Sequence, residues 1–145
     1  MKAVIQRCGR ASCEVEGEIV GSIERGLTIF LGVEQGDAAE KAARLAQKIV
    51  GLRVFDNAEG KFDLSLRDVG GGALVIPNFT LCGDARKGTR PNFSAAAPPA
   101  EAKSLYEQFV TLLGSHGVLV ATGRFGASMR VSVENDGPVT LILEV

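Results

Sequence analysis

The sequence has almost none of the residues from which enzymes usually assemble a catalytic set. It holds one histidine, His116, in a Ser-His-Gly stretch just past a helical segment. That setting suits an exposed turn residue better than a general base, and it leaves a Ser-His-Asp set without support. Its three cysteines, Cys8, Cys13 and Cys82, are odd in number and form no C-x-x-C pair, so they read as buried reduced thiols and not as a disulfide or metal framework. There is no H-E-x-x-H, and the triple glycine Gly70 to Gly72 is not followed by the Lys and Ser/Thr of a phosphate-binding loop. Charge of neither sign is in excess. A net charge of −1 gives no general basic footprint for nucleic acid, so any such contact must be local. No apolar run approaches a membrane span, and the alternating, charged start MKAVIQRCGRASCEVEG lacks the continuous apolar stretch of a signal peptide, which predicts a soluble cytoplasmic protein. An enzyme made from this material must draw its chemistry from backbone groups or from its substrate.

What is present is enough for one core. A chain of 145 residues with 46% hydrophobic content is read as a single domain, 1–145, which on folding buries roughly 70% of the surface exposed by the unfolded chain. MKAVIQR, SCEVEGEIV and LTIFLGV read as strands of an N-terminal meander, and ALVIPNFTL, GVLVATG, SMRVSVE and VTLILEV as later strands. Asp37 and Glu40 have capping-box spacing ahead of Ala42, Leu45, Ile49 and Leu52, which recur at helical intervals with Lys41, Arg44 and Lys48 off the stripe. A second helix is predicted from Pro98-Pro99 to Gly114, with Ala102, Leu105, Phe109 and Leu112 on one side. Strands precede, separate and follow these two main helices, so the class is α+β.

Two stretches stand out. DARKGTRPNF clusters Arg86, Lys87 and Arg90 in a Gly- and Pro-containing loop, which is either a solvated loop or a local phosphate contact. Near the end, NDGP lies between two apolar runs. Asn-Asp-Gly is common turn material, but Pro138 removes a backbone donor where a following strand should begin to pair.

Taken together, AVIQR, GLTIFLGVEQGD, LRVFDNAEGKFDLSL, FTL with RKGTRPNFSAAAPP, and TGRFGASMRVSVENDGPVT occur in one order over essentially the whole chain. In that order they resemble the D-aminoacyl-tRNA deacylases, chiral proofreading enzymes of translation that remove D-amino acids, and also glycine, from tRNA. The resemblance implies a barrel-like, mostly antiparallel sheet, a homodimer, aminoacyl-tRNA as substrate, and no metal or cofactor. It further implies that Gly137-Pro138 is a cis pair projecting from one subunit into the other's active site, where neighbouring carbonyls accept from the substrate's α-ammonium. A D side chain then points outward and an L side chain meets main chain, so chirality is read by exclusion.

The family's Ser-Gln-Phe-Thr-Leu stands here as Pro77-Asn78-Phe79-Thr80-Leu81. Phe79 and Thr80 carry over as the turn whose amides would stabilise the oxyanion of ester hydrolysis, with the terminal 2′-hydroxyl of the tRNA assisting water. Pro77 and Asn78 depart from the pattern, and a role tied to the Ser hydroxyl is lost; Pro77 also suits a strand end or bulge. Thr80 is alternatively a nucleophile, which would make the protein a small-molecule esterase; a noncatalytic tRNA-binding module is the other alternative. Arg7 is a candidate brace for the Gly-Pro loop or else a surface strand Arg. Met129 is a candidate pocket residue or simple packing. With tRNA as substrate, Arg86, Lys87 and Arg90 become candidate phosphate contacts.

Overall fold

The computed structural model describes all 145 residues. Its first strand, β1 (Lys2–Val15), runs straight through the first predicted strand and into the first half of the second, because β8 (Arg130–Glu144) pairs antiparallel along nearly its whole length. On its other side β1 pairs with β3 (Gly26–Gly32) through its first half and with β2 (Glu18–Ile23) through its second. The β1–β2 reversal falls on Glu16-Gly17, both at positive φ, inside the run read as one strand. The meander therefore stands with its first turn displaced.

After β3 the chain crosses through helix α1 (Ala39–Val50) and a separate hairpin, β4 (Phe55–Asp56) with β5 (Phe62–Leu64), and returns as β6 (Gly72–Pro77) parallel to β3. Helix α2 (Pro99–Ser115) then leads to β7 (Leu119–Thr122), parallel to β6. The sheet order β2-β1-β3-β6-β7 is mixed, with parallel pairing confined to β3, β6 and β7. It curls until its ends meet: a Cβ on Gly21 of β2 would collide with the Thr122 carbonyl of β7. A nearly closed α+β barrel results. Inside lie Cys8, Ala11, Cys13, Val15, Ile23, Leu74 and Ile76, while the helices cover the other face of the sheet over a larger core that includes Ile5, Ile29, Leu45, Val75 and Phe109. Burial pushes all three cysteine thiols up, as expected of inert core residues. No helix is long and apolar enough to cross a membrane.

Three local expectations change. The buried side of α2 is Ala102, Tyr106, Phe109 and Leu113, with Leu105 and Leu112 only half-buried. Tyr106 reaches the core because its hydroxyl donates to the Val75 carbonyl at 2.9 Å, so its polar tip is satisfied. The run ALVIPNFTL stops being a strand at Pro77, and Phe79–Cys82 forms a short 3-10 turn. Finally, α1 has no capping box: Ala38 is its N-cap, without a side-chain bond. Asp37 instead accepts from the buried Met1 ammonium (2.7 Å), the Glu34 amide (2.7 Å) and Lys41 (2.8 Å), since a charge-assisted bond outcompetes a neutral cap.

Asp37→Asn is expected to cost about 3 kcal/mol at neutral pH, because it takes from a buried ammonium its near counter-charge at 2.7 Å and leaves it only the Glu34 carboxylate at 3.7 Å. Burial alone would raise the Asp37 pKa, but hydrogen bonds from Lys41 and the Met1 ammonium hold it below the ordinary 3.8. A depressed folded value gives stability that is complete above the unfolded carboxyl's pKa and lost as pH falls through the folded one. Denaturant unfolding of both proteins should show the gap narrowing below about pH 4; a gap independent of pH would assign the loss to packing.

Candidate active site

The C-terminal ends of the parallel strands β3, β6 and β7 open into a cavity of about 610 Å³. Such strand ends are where an open parallel arrangement leaves room for a ligand. Leu31 lines it from β3 and Val33 from just past its end, Pro77 to Phe79 from the end of β6, and Phe125 and Gly126 from the loop after β7; Ala102 and Tyr106 of α2 form its floor. Phe79 and Phe93 pack edge to face in its lining, ring centroids 5.2 Å apart. The wall of Phe93 to Pro98 is held by paired backbone: Gln35 donates to the Ala95 carbonyl and Ala97 to that of Val33.

The Phe79 turn is fixed by main chain. The Asn78 amide donates to the Leu31 carbonyl at 2.8 Å, and Leu81 turns back to the Asn78 carbonyl. Phe79 and Thr80 occupy the first turn, where amides have no helical carbonyl before them. The Thr80 hydroxyl donates to Oδ1 of Asn78, a neutral partner. His116 caps the C-terminus of α2 in a turn. The one titratable side chain lining the cavity is Tyr106, whose phenol burial pushes well up. Met129 belongs to this end of the fold: a Cβ on Gly123 would sit 2.7 Å from its sulfur and 3.3 Å from Pro77.

NDGP does not form a turn between two strands. It lies within β8, which pairs with β1 at Gln6↔Thr140 and again at Cys8↔Asn135. Asp136, Gly137, Pro138 and Val139 therefore stand opposite the single residue Arg7 and bulge out of the ladder. The Gly137-Pro138 peptide is cis, and both residues are exposed. The Val139 amide donates to Asn135 Oδ1 at 3.0 Å. Arg7 is not a surface residue: it is 6% exposed, and its Nε donates to the Asp136 carbonyl at 2.9 Å.

The candidate residues thus fall into separate groups. Pro77, Asn78, Phe79, Thr80 and Met129 come together; Arg7, Gly137 and Pro138 come together elsewhere. Arg7 is level with Leu27 of β3, and Leu27 with Ala73 of β6, whereas the cavity begins at Leu31 and Pro77. Four residues of strand, about 13 Å, separate the two groups along the sheet.

The basic loop is pinched at its base by the reciprocal bonds of Asp84 and Asn92. Arg86 forks onto the Asp84 carboxylate through Nε (2.9 Å) and Nη2 (2.6 Å), and this holds Asp84 well below the usual carboxylate range. Lys87 and Arg90 are exposed, with no ion pair. The aromatic walls Phe93 and Phe125 and the floor residue Tyr106 were not singled out from sequence; the signal open to inspection was Phe93 and Phe125 among Gly, Pro and Asn in loops, whereas Tyr106 sits within α2 and gave no such signal.

The family model of D-Tyr-tRNA(Tyr) deacylase matches residues 4–144. D-aminoacyl-tRNA deacylases of Geobacter metallireducens and Pelobacter propionicus are 54% and 56% identical over 144 residues, covering 99% of this chain and 95% and 99% of theirs. Among solved structures, a c-Myc DNA unwinding element binding protein superposes with a TM-score of 0.95 at 38% identity, covering 100% of this chain and 99% of its own. A probable eukaryotic D-amino acid tRNA deacylase shares the fold at a TM-score of 0.84 and 17% identity, with 99% and 98% covered. With catalytic side chains scarce, a backbone-lined turn beside an apolar cavity, and a family match spanning nearly every residue, the chain belongs to the D-Tyr-tRNA(Tyr) deacylase family and is a hydrolase.

Proposed function

We propose that the protein hydrolyses the ester of D-aminoacyl-tRNA, and of glycyl-tRNA, in the cytoplasm as a homodimer in which each subunit's Gly137-Pro138 enters the other's cavity beside Phe79. The observation that carries this reading is the separation of the two groups. Each is half of a site: an exposed, braced main-chain bulge at one place, and a cavity with unengaged amides about 13 Å away. A two-fold axis joins unlike patches reciprocally, so one symmetric contact completes both sites. The outer edge of β8 pairs with no strand of its own chain and shows Ile142 at 72% exposure, the kind of edge that a second copy covers.

The apolar cavity has the size of small-ligand sites and suits the terminal nucleoside of tRNA, whose base can lie against Phe79, Phe93 or Phe125. The ester then lies at the Phe79-Thr80 amides, which stabilise the developing oxyanion. Carbonyls of the incoming bulge receive the α-ammonium, and main chain fills the space an L side chain would need. Pro77 and Asn78 shape the wall at the same end, and Met129 lies close to Pro77 outside the lining. Comparing D-aminoacyl-tRNA, L-aminoacyl-tRNA, glycyl-tRNA and a simple amino-acid ester tests the reading. The first and third should be hydrolysed; turnover of the simple ester alone would assign an esterase, and binding without turnover a tRNA-binding module.

Lys87 and Arg90 would contact tRNA phosphates, whereas Arg86 is already neutralised by Asp84. Replacing Lys87 and Arg90 with Ala should reduce the salt slope of tRNA binding by about 1.5, and adding Arg86→Ala should change it little further. The D-over-L ratio should stay constant, because phosphate contacts orient without reading the amino acid. Titration of binding against salt checks this, and an unchanged slope in the double variant would remove these residues from the interface.

A further inference from the structure

The β4–β5 hairpin pairs with no strand of the barrel, so closing the sheet is not its role. In its register Asp56 stands directly opposite Phe62, and both side chains reach the same target. Nη1 of Arg7 donates to Asp56 Oδ2 at 3.2 Å and to the Val54 carbonyl at 2.8 Å. The Phe62 ring faces the guanidinium carbon at 5.4 Å. The opposite side of the same guanidinium holds the bulge, with Nε donating to the Asp136 carbonyl at 2.9 Å and lying 3.4 Å from its carboxylate. A planar fork of fixed donors can grip two elements at once in a way that an ammonium cannot.

The hairpin is itself firmly placed. Val54 and Phe55 are buried in the core, and Asn57 Oδ1 accepts from the amides of Glu59 and Lys61. Arg53 donates to the Asp63 carbonyl at 2.7 Å, fastening the approach to the hairpin to β5. By contrast the clamping pair contributes little to the core: Phe62 is 57% exposed and the Asp56 side chain 43%. An exposed aromatic ring lying against a buried cation is hard to account for by folding alone.

We propose that Asp56 and Phe62 are positioning residues that fix the Arg7 guanidinium and, through it, the Asp136–Val139 bulge. The proposal rests on the reading of that bulge as the part that discriminates the amino acid. With the clamp removed, the guanidinium keeps its backbone bonds but loses one charge partner and one face, and the bulge samples displaced positions. A displacement on the order of 1 Å at a reacting centre costs up to about a hundredfold in rate.

The test uses Asp56→Asn and Phe62→Leu, each alone and combined with Arg7→Lys. Each single variant should lower kcat/KM for D-aminoacyl-tRNA by between about tenfold and a hundredfold and narrow the D-over-L ratio, with little change in melting temperature. Asp56→Glu and Phe62→Tyr should restore most of the loss. In the Arg7→Lys background the two substitutions should add almost nothing, because they act through the residue already changed. Amide exchange at Gly137 and Val139 should quicken in both single variants. Wild-type rates with unchanged exchange, or full additivity with Arg7→Lys, would overturn the clamp. A wild-type protein inactive on D-aminoacyl-tRNA would sink the functional reading instead, and the exchange measurement would still decide the clamp.

Discussion

A Gly137→Ala enzyme should lose about a hundredfold or more of its activity on D-aminoacyl-tRNA while remaining folded. Gly137 has φ of +140°, a conformation that an L side chain rarely adopts. A Cβ there would lie 2.7 Å from Cγ2 of Val139 and 2.8 Å from the Val139 nitrogen, closer than real Cβ atoms approach other groups. Neither contact relaxes cheaply. The Val139 amide is tied to Asn135 Oδ1, and Arg7, 3.5 Å from the same Cβ position, is itself held by the hairpin. The bulge must therefore move as a unit, and its carbonyls move with it.

The stability cost is expected to be small, about 1–2 kcal/mol, the range of a single strained backbone residue, since the segment is exposed. Gly17→Ala is the matching control: it also has positive φ, at 84°, but a Cβ meets nothing within 4 Å, and its turn lies beyond the other end of β1 from Arg7 and the bulge. It should carry comparable strain and nearly full activity. Single-turnover deacylation with D-aminoacyl- and glycyl-tRNA, alongside thermal melting, separates the two variants. Wild-type rates in Gly137→Ala would mean that the bulge does not touch the substrate.

The sequence made some of this visible, for reasons that differ residue by residue. Helix α1 was legible because Ala42, Leu45 and Ile49 repeat at the helical period and all three are buried. The end of β6 was legible in part, since Pro77 cannot continue a ladder. The strand limits of β1 and β8 were not, because they are set by each other: two apolar runs on each strand pair across the molecule, and the local turn signal at Asn135 to Gly137 yields to that long-range ladder. What local chemistry did reveal was an interruption, and the interruption is the bulge. Asp37 looked like a helix cap because nothing nearby in sequence announced the Met1 ammonium as a stronger partner. The clamp on Arg7 was out of reach for the same reason, since Val54, Asp56 and Phe62 meet it only after the crossover through α1. Short-range rules find elements and their breaks; the partners that give a break its use come from elsewhere in the chain.

The second large effect belongs to the substrate. Replacing the terminal 2′-hydroxyl of D-aminoacyl-tRNA by hydrogen should slow deacylation by about a hundredfold or more, the scale of a lost acid-base group, whereas Thr80→Ala should change the rate by less than about threefold. The reason lies in what surrounds the ester. Gln35, Asn78 and Ser94 are the neutral polar side chains in the cavity wall, and none of them can take a proton from water at neutral pH. Tyr106 cannot serve either: its hydroxyl is committed to the Val75 carbonyl and its phenol is pushed well above the ordinary value. The Thr80 hydroxyl donates to an amide oxygen, so it has no base to activate it, and its exposed position suits holding a water. The vicinal hydroxyl of the substrate is then the remaining group that can relay a proton between the attacking water and the leaving 3′-oxygen. On the proposed reading the protein's own share is electrostatic, through the Phe79 and Thr80 amides, and deleting a side chain would leave those amides in place. Single-turnover rates for the ribose and 2′-deoxyribose substrates, measured with wild type and Thr80→Ala, give the comparison. If Thr80→Ala were folded but inactive while the 2′-deoxy substrate reacted at full rate, the proton path would run through the protein, and the esterase mechanism with a Thr80 nucleophile would replace the one argued here.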